Sequence, residues 1–163
     1  EDLMAHPEQI AQDPELEPIT RMMHYHNVLG SDQGYVERFL MRQLARSTYT
    51  EDPVFQEQTL LATLWTHDIN EFWFHFADYV RLHPDARIPR YYQEAAYLYC
   101  NIEGRDVDRM PFDASVKEGF DHFMQSAAYY NDAEVDVAYK GLYGAFGQTY
   151  YFDYYIMSHL PEY

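Results

Sequence analysis

The chain has 163 residues, a formal net charge of −16, and a composition that is 47% hydrophobic and 18% aromatic, with seventeen Tyr and ten Phe. That length and aromatic load suit a packed domain and argue against a disordered tail. No apolar run approaches the ~20 residues that span a bilayer, and eleven scattered Lys and Arg in an acidic chain speak against nucleic acid as a partner.

Sustained period-two alternation and Asn-Gly or Asp-Gly hairpin turns are absent, while Leu, Met, Ala, Glu and Gln recur at helical spacing, so the chain reads as all-α. Residues 1–13 read as flexible. A first helix starts near Pro14 or Pro18 and ends at Gly30, striped by Ile19, Met22, Met23, His26 and Leu29. A second runs from about Tyr35 to Ser47, with Val36, Phe39, Leu40 and Leu44 inward. Asp52 before Pro53 is an N-cap and first-turn pair that opens a third helix through Leu60, Leu61, Leu64 and Trp65. Asp68 with Glu71 is a capping box for a fourth, striped by Ile69, Phe72, Trp73, Phe76, Tyr79 and Val80 and stopped by Pro84. Pro89 starts a fifth through Tyr92, Ala95, Ala96, Tyr99 and Ile102, ending at Gly104. After a loop from Arg105 to Pro111, Ser115 with Glu118 is a further capping box, opening a sixth helix through Phe120, Phe123, Met124 and Ala127. Asp132 caps one long final helix over about 133–158, carrying Tyr139, Tyr143, Phe146, Tyr150, Tyr154 and Met157. Gly141, Gly144 and Gly147 within it read as a smooth strip for close helix approach.

The hairpins, at about 14–48, 53–83 and 89–131, start roughly 35 to 39 residues apart, near the tetratricopeptide period of about 34. The expected architecture is therefore a single domain over residues 1–163, about seven helices in stacked antiparallel hairpins of tetratricopeptide-like kind. A compact orthogonal bundle is the alternative.

Few residues look chemical. His67, Glu71 and His75 are spaced by fours and on one continuous helix would form a metal-binding edge, with His24 or His26 joining from elsewhere; capping by Asp68 would place His67 outside that helix. His24 and His26 themselves point to nearly opposite sides of a helix. Glu71-x-x-x-His75 and Glu118-x-x-x-His122 have the wrong spacing for a di-iron bundle. His-Glu-x-x-His, Gly-x-Ser-x-Gly and the phosphate-binding Gly-x-x-x-x-Gly-Lys do not occur. Asp132, Glu134 and Asp136 lack the Gly and the closing Glu of a calcium loop and read as an acidic first turn. The lone Cys100 excludes an intrachain disulfide and a multi-Cys zinc site. No cofactor is expected.

The stretches Leu60-Leu61-Ala62-Thr63-Leu64-Trp65, Asp68 to Phe76, Ile88-Pro89-Arg90-Tyr91-Tyr92-Gln93-Glu94-Ala95 and Phe146 to Tyr155 carry a resemblance. From Phe55 onward, about two thirds of the chain, it resembles an uncharacterised bacterial domain-of-unknown-function family. Members of that family join an N-terminal polytopic membrane region to a tetratricopeptide-like soluble C-terminal tail. The resemblance implies a membrane-anchored parent of which this is the end portion, and no activity. Glu1 in place of an initiating Met also suggests a segment of a longer protein.

The expected function is a non-catalytic module for protein or peptide interaction, using exposed aromatics such as Trp73 and Tyr151. A metal-dependent enzyme built on His67, Glu71 and His75 is the alternative, and a purely structural cap of a longer helical solenoid is a third reading.

Overall fold

The computed structural model describes residues 31–47, 50–107 and 110–160. The described residues are helical, with no strand among them. In order they form α1 (Ser31–Ala45), α2 (Pro53–Trp65), α3 (Ile69–Leu82), α4 (Arg90–Ile102), α5 (Ala114–Ala127), α6 (Val135–Phe146) and α7 (Tyr150–Tyr155), with 3₁₀ turns at Ala128–Tyr130 and Met157–His159. The all-α class is the one that the helical spacing predicts. The flexible stretch over 1–13, the helix from Pro14 or Pro18 to Gly30 and the His24/His26 pair lie outside the described residues.

The chain divides into two compact units, Glu1–Leu40 and Met41–Tyr163. Of the first unit only residues 31–40 are described. There Phe39 and Leu40, expected inward, are both 58% exposed.

In the second unit the helix starts follow local chemistry. Asp52 accepts hydrogen bonds from the backbone N–H groups of Val54 and Phe55 at 2.9 and 3.4 Å, with Pro53 filling the position whose N–H would have no partner. Asp68 accepts from Glu71 N–H at 3.2 Å. α4 closes in a Schellman turn: Gly104 takes the left-handed position at φ 61°, Gly104 N–H donates to Asn101, and Arg105 N–H donates to Cys100.

Each helix from α2 to α6 packs against its successor, and α7 returns onto α4 and α5. That return surrounds α4, whose residues Tyr92 to Cys100 are buried without a break. A helix enclosed on all sides must satisfy its polar side chains internally. Gln93 therefore donates to the Ile88 carbonyl at 2.9 Å and accepts from Asp113 N–H at 2.8 Å, and Glu94 pairs with Arg90 at 2.9 Å.

Three boundaries in the second unit differ from expectation. α5 begins at Ala114 after Asp113, not after Ser115, and no side chain caps it, because the Asp113 carboxylate accepts from Arg87 at 3.1 Å and Gln93 at 3.2 Å. α6 begins at Val135 after Glu134, again without a side-chain cap, so Asp132 is not the N-cap. The single helix drawn over 133–158 is broken. α6 stops at Gly147, and Thr149 restarts the chain as α7, its hydroxyl oxygen accepting from Phe152 N–H at 3.3 Å.

The glycine strip separates into three roles. A Cβ at Gly141 would collide with the Tyr130 hydroxyl, Gly144 faces open space, and a Cβ at Gly147 would lie 2.7 Å from the Tyr143 carbonyl oxygen.

Candidate functional site

The turn between α2 and α3 has the hydrogen bonds of a Schellman motif but the wrong residue in it. His67 N–H donates to Leu64 and Asp68 N–H to Thr63, and the left-handed position, usually glycine, is His67 at φ 55°. Holding a side chain with a Cβ there costs about 1–2 kcal/mol. Strain of this kind is tolerated where the side chain has a task.

The His67 side chain projects toward α7. Its Nε2 lies 3.9 Å from Asp153 Oδ2, beyond hydrogen-bond range, and has no hydrogen-bond partner among the described residues although it is buried. Burial pushes the imidazole pKa below its ordinary value; the Asp153 carboxylate opposes that shift and His159 adds to it. Asp153 in turn accepts a short hydrogen bond from the Tyr91 hydroxyl of α4. Burial first, and that bond second, push the Tyr91 phenol well above its usual range. Tyr91 meets the ring of Tyr150 edge-on at 5.3 Å. Tyr150 is fully buried, and its hydroxyl has no partner among the described residues.

The hydrogen-bonded pair Tyr91 and Asp153 lines an open groove of about 500 Å³. The rest of its wall is Met41 and Leu44 of α1 and Gln58, Leu61, Ala62, Leu64 and Trp65 of α2. Leu60 and Leu64 face the core, whereas Leu61 and Trp65 are each 47% exposed. α2 thus carries two apolar faces, one buried and one presented to the groove. Its volume falls within the range of roughly 300–1,000 Å³ typical of ligand sites, and a mostly apolar wall with a few convergent polar groups is their usual make-up.

A family model described as a family of unknown function, DUF6057, matches residues 1–158. The chain belongs to this family. No curated protein and no solved structure matches it.

In this family member the residues singled out from sequence are dispersed. Asp68 caps α3, so His67 stands outside that helix and the continuous His67–Glu71–His75 edge does not form. His75 is buried with both ring nitrogens engaged: Nε2 donates to the Ala45 carbonyl at 2.8 Å, and Nδ1 lies 3.2 Å from the Thr59 hydroxyl. Among the described residues no group of three or more His, Cys, Asp or Glu side chains is placed to hold a metal ion. Trp73 is not an open aromatic. It stacks on Tyr99 at 4.7 Å, and the Arg105 guanidinium lies 5.3 Å from both rings. Tyr151, expected as a binding residue, is fully buried; its hydroxyl donates to the Val116 carbonyl at 3.0 Å and its ring packs on Phe120 and Phe123. Cys100 is also fully buried, and burial raises its thiol pKa. Sequence reasoning missed Tyr91 and Asp153 as partners, since 62 positions separate them. The one available signal was the pair Leu61 and Trp65 beside an already complete Leu60/Leu64 stripe.

Proposed function

We propose that the chain is a non-catalytic module that binds a protein or peptide segment in the groove between α1 and α2. The observation that carries this is the exposed apolar face of Leu61 and Trp65, which lines the groove together with Met41 and Leu44, on a helix α2 whose other side is core. Aromatic and aliphatic anchors in a concave site are what peptide grooves offer an amphipathic helix. A binding role rather than catalysis is further supported by how His75 and the cysteine are placed. His75 is committed to two hydrogen bonds, and Cys100 is fully buried.

The parent protein, on this proposal, is membrane-anchored through a segment outside this chain, a reading supported by the sequence resemblance alone. No described helix is long and apolar enough to cross a membrane.

The test is a displayed random-peptide library panned on the full chain. Enriched peptides should bind wild-type protein and lose at least about tenfold in affinity, about 1.4 kcal/mol, on Leu61→Glu, an exposed and structurally tolerant position. Enrichment that ignores Leu61→Glu, or no enrichment, contradicts the proposal.

A further inference from the structure

The groove is not uniformly apolar: its lining includes a carboxylate and aromatic residues. Among the residues that line it are Trp65, Tyr91 and Asp153. Aromatic faces beside a carboxylate attract organic cations: the rings offer the negative face of their quadrupoles, and the acid supplies the counter-charge. Asp153 is 35% exposed at its side chain, and its neighbours in the structure are the Tyr91 hydroxyl and His67 at 3.9 Å, neither of them a permanent cation. The arginines at the end of α1, Arg42 and Arg46, are exposed and do not line the groove.

From this geometry we infer that the groove's occupant is a basic apolar peptide segment, whose lysine or arginine seats on Asp153 between Trp65 and Tyr91 while its aliphatic side chains cover Leu61, Leu44 and Met41. The inference rests on the groove being the binding site proposed above. Charge complementarity selects this occupant over the others. A chain of net charge −16 attracts a basic segment, and repels both a second copy of itself and an anionic lipid surface. The strained His67 fits the same picture. Its imidazole stands beside the carboxylate without bonding to it, and its burial disfavours the charged form that would compete for Asp153 with an incoming ammonium or guanidinium.

The experiment uses the full chain carrying Trp73→Phe, which leaves Trp65 as the indole reporter. The probes are two short amphipathic peptides of Leu and Ala, identical except for one central Lys in the first and norleucine in the second. The Lys peptide should shift Trp65 emission with an affinity about tenfold above its norleucine counterpart, and Asp153→Asn should erase that preference while leaving norleucine-peptide binding in place. Should Asp153→Asn fail to fold, as circular dichroism would reveal, the wild-type comparison of the two peptides decides alone. Norleucine binding as tight as Lys overturns the cation seat and leaves the groove reading standing. A Lys preference that survives Asp153→Asn but disappears in high salt assigns it to overall charge and also overturns the seat. If neither peptide moves Trp65 emission, or if acrylamide cannot reach Trp65 in the free chain, the seat and the groove reading fall together.

Discussion

Glu94 Oε2 accepts the backbone N–H of Tyr150 at 2.9 Å, joining the middle of the buried helix α4 to the first turn of α7. The other oxygen pairs with Arg90 Nε at 2.9 Å, and the Arg90 guanidinium reaches the Ser115 hydroxyl and carbonyl at 3.4 and 3.3 Å. One carboxylate and one guanidinium therefore hold α4, α5 and α7 together. Glu94→Ala would leave a buried N–H and the Arg90 charge without their partner, and the expected loss is about 2–3 kcal/mol; Glu94→Gln keeps an accepting oxygen and should lose about 1 kcal/mol. Urea denaturation of the two variants checks both the size and the order.

The glycines of the aromatic tail should respond in opposite directions. Gly144 faces open space inside α6, so Gly144→Ala should stabilise by about 0.5–1 kcal/mol. Gly147→Ala places a Cβ 2.7 Å from the Tyr143 carbonyl oxygen at the break between α6 and α7 and should destabilise. Thermal melts of the two variants measure the contrast. A uniform close-packing strip would instead make both substitutions harmful.

Those glycines also mark where the sequence stopped being legible. Asp52-Pro53 and Asp68 declared their helices because a cap is a contact over two or three residues. The break after Phe146 was hidden because aromatic spacing runs straight through it; what fixes it is Thr149 locally and Glu94 from 56 positions away. Tyr151 was read as a binding residue because a helix aromatic all round gives no sign of which rings are buried, and the return of α7 onto α4 and α5 buries it. The left-handed His67 was invisible for a different reason: the residue that usually announces that conformation is glycine.

Acid should weaken the fold through His67. Burial lowers its folded pKa below the ordinary histidine value of 6.5, with Asp153 opposing and His159 reinforcing the shift. The unfolded chain then binds the proton more readily, so the His67 contribution is complete above about pH 6.5 and is lost as pH falls toward the folded pKa. Asparagine tolerates the left-handed conformation and does not titrate, so His67→Asn should lose less stability than wild type between about pH 7.5 and pH 5. Urea midpoints at the two values measure it. Equal losses in both proteins would remove His67 from the acid response.

Cys100 should behave as a core residue. With the side chain fully buried and its pKa raised, a thiol reagent should label it only as fast as the surrounding structure opens. Denaturant below the unfolding midpoint should accelerate labelling in step with the open population. Immediate stoichiometric labelling in native buffer would contradict the enclosure of α4.

The most direct test of the binding groove is methyl and indole nuclear magnetic resonance on the full chain, titrated with the Lys-bearing amphipathic peptide. The expected result is a set of shifts confined to Met41, Leu44, Leu61 and the Trp65 indole, with the Trp73 indole unmoved. Shifts centred on Trp73 and Tyr99, or none at saturating peptide, would contradict the assignment of the groove as the binding site.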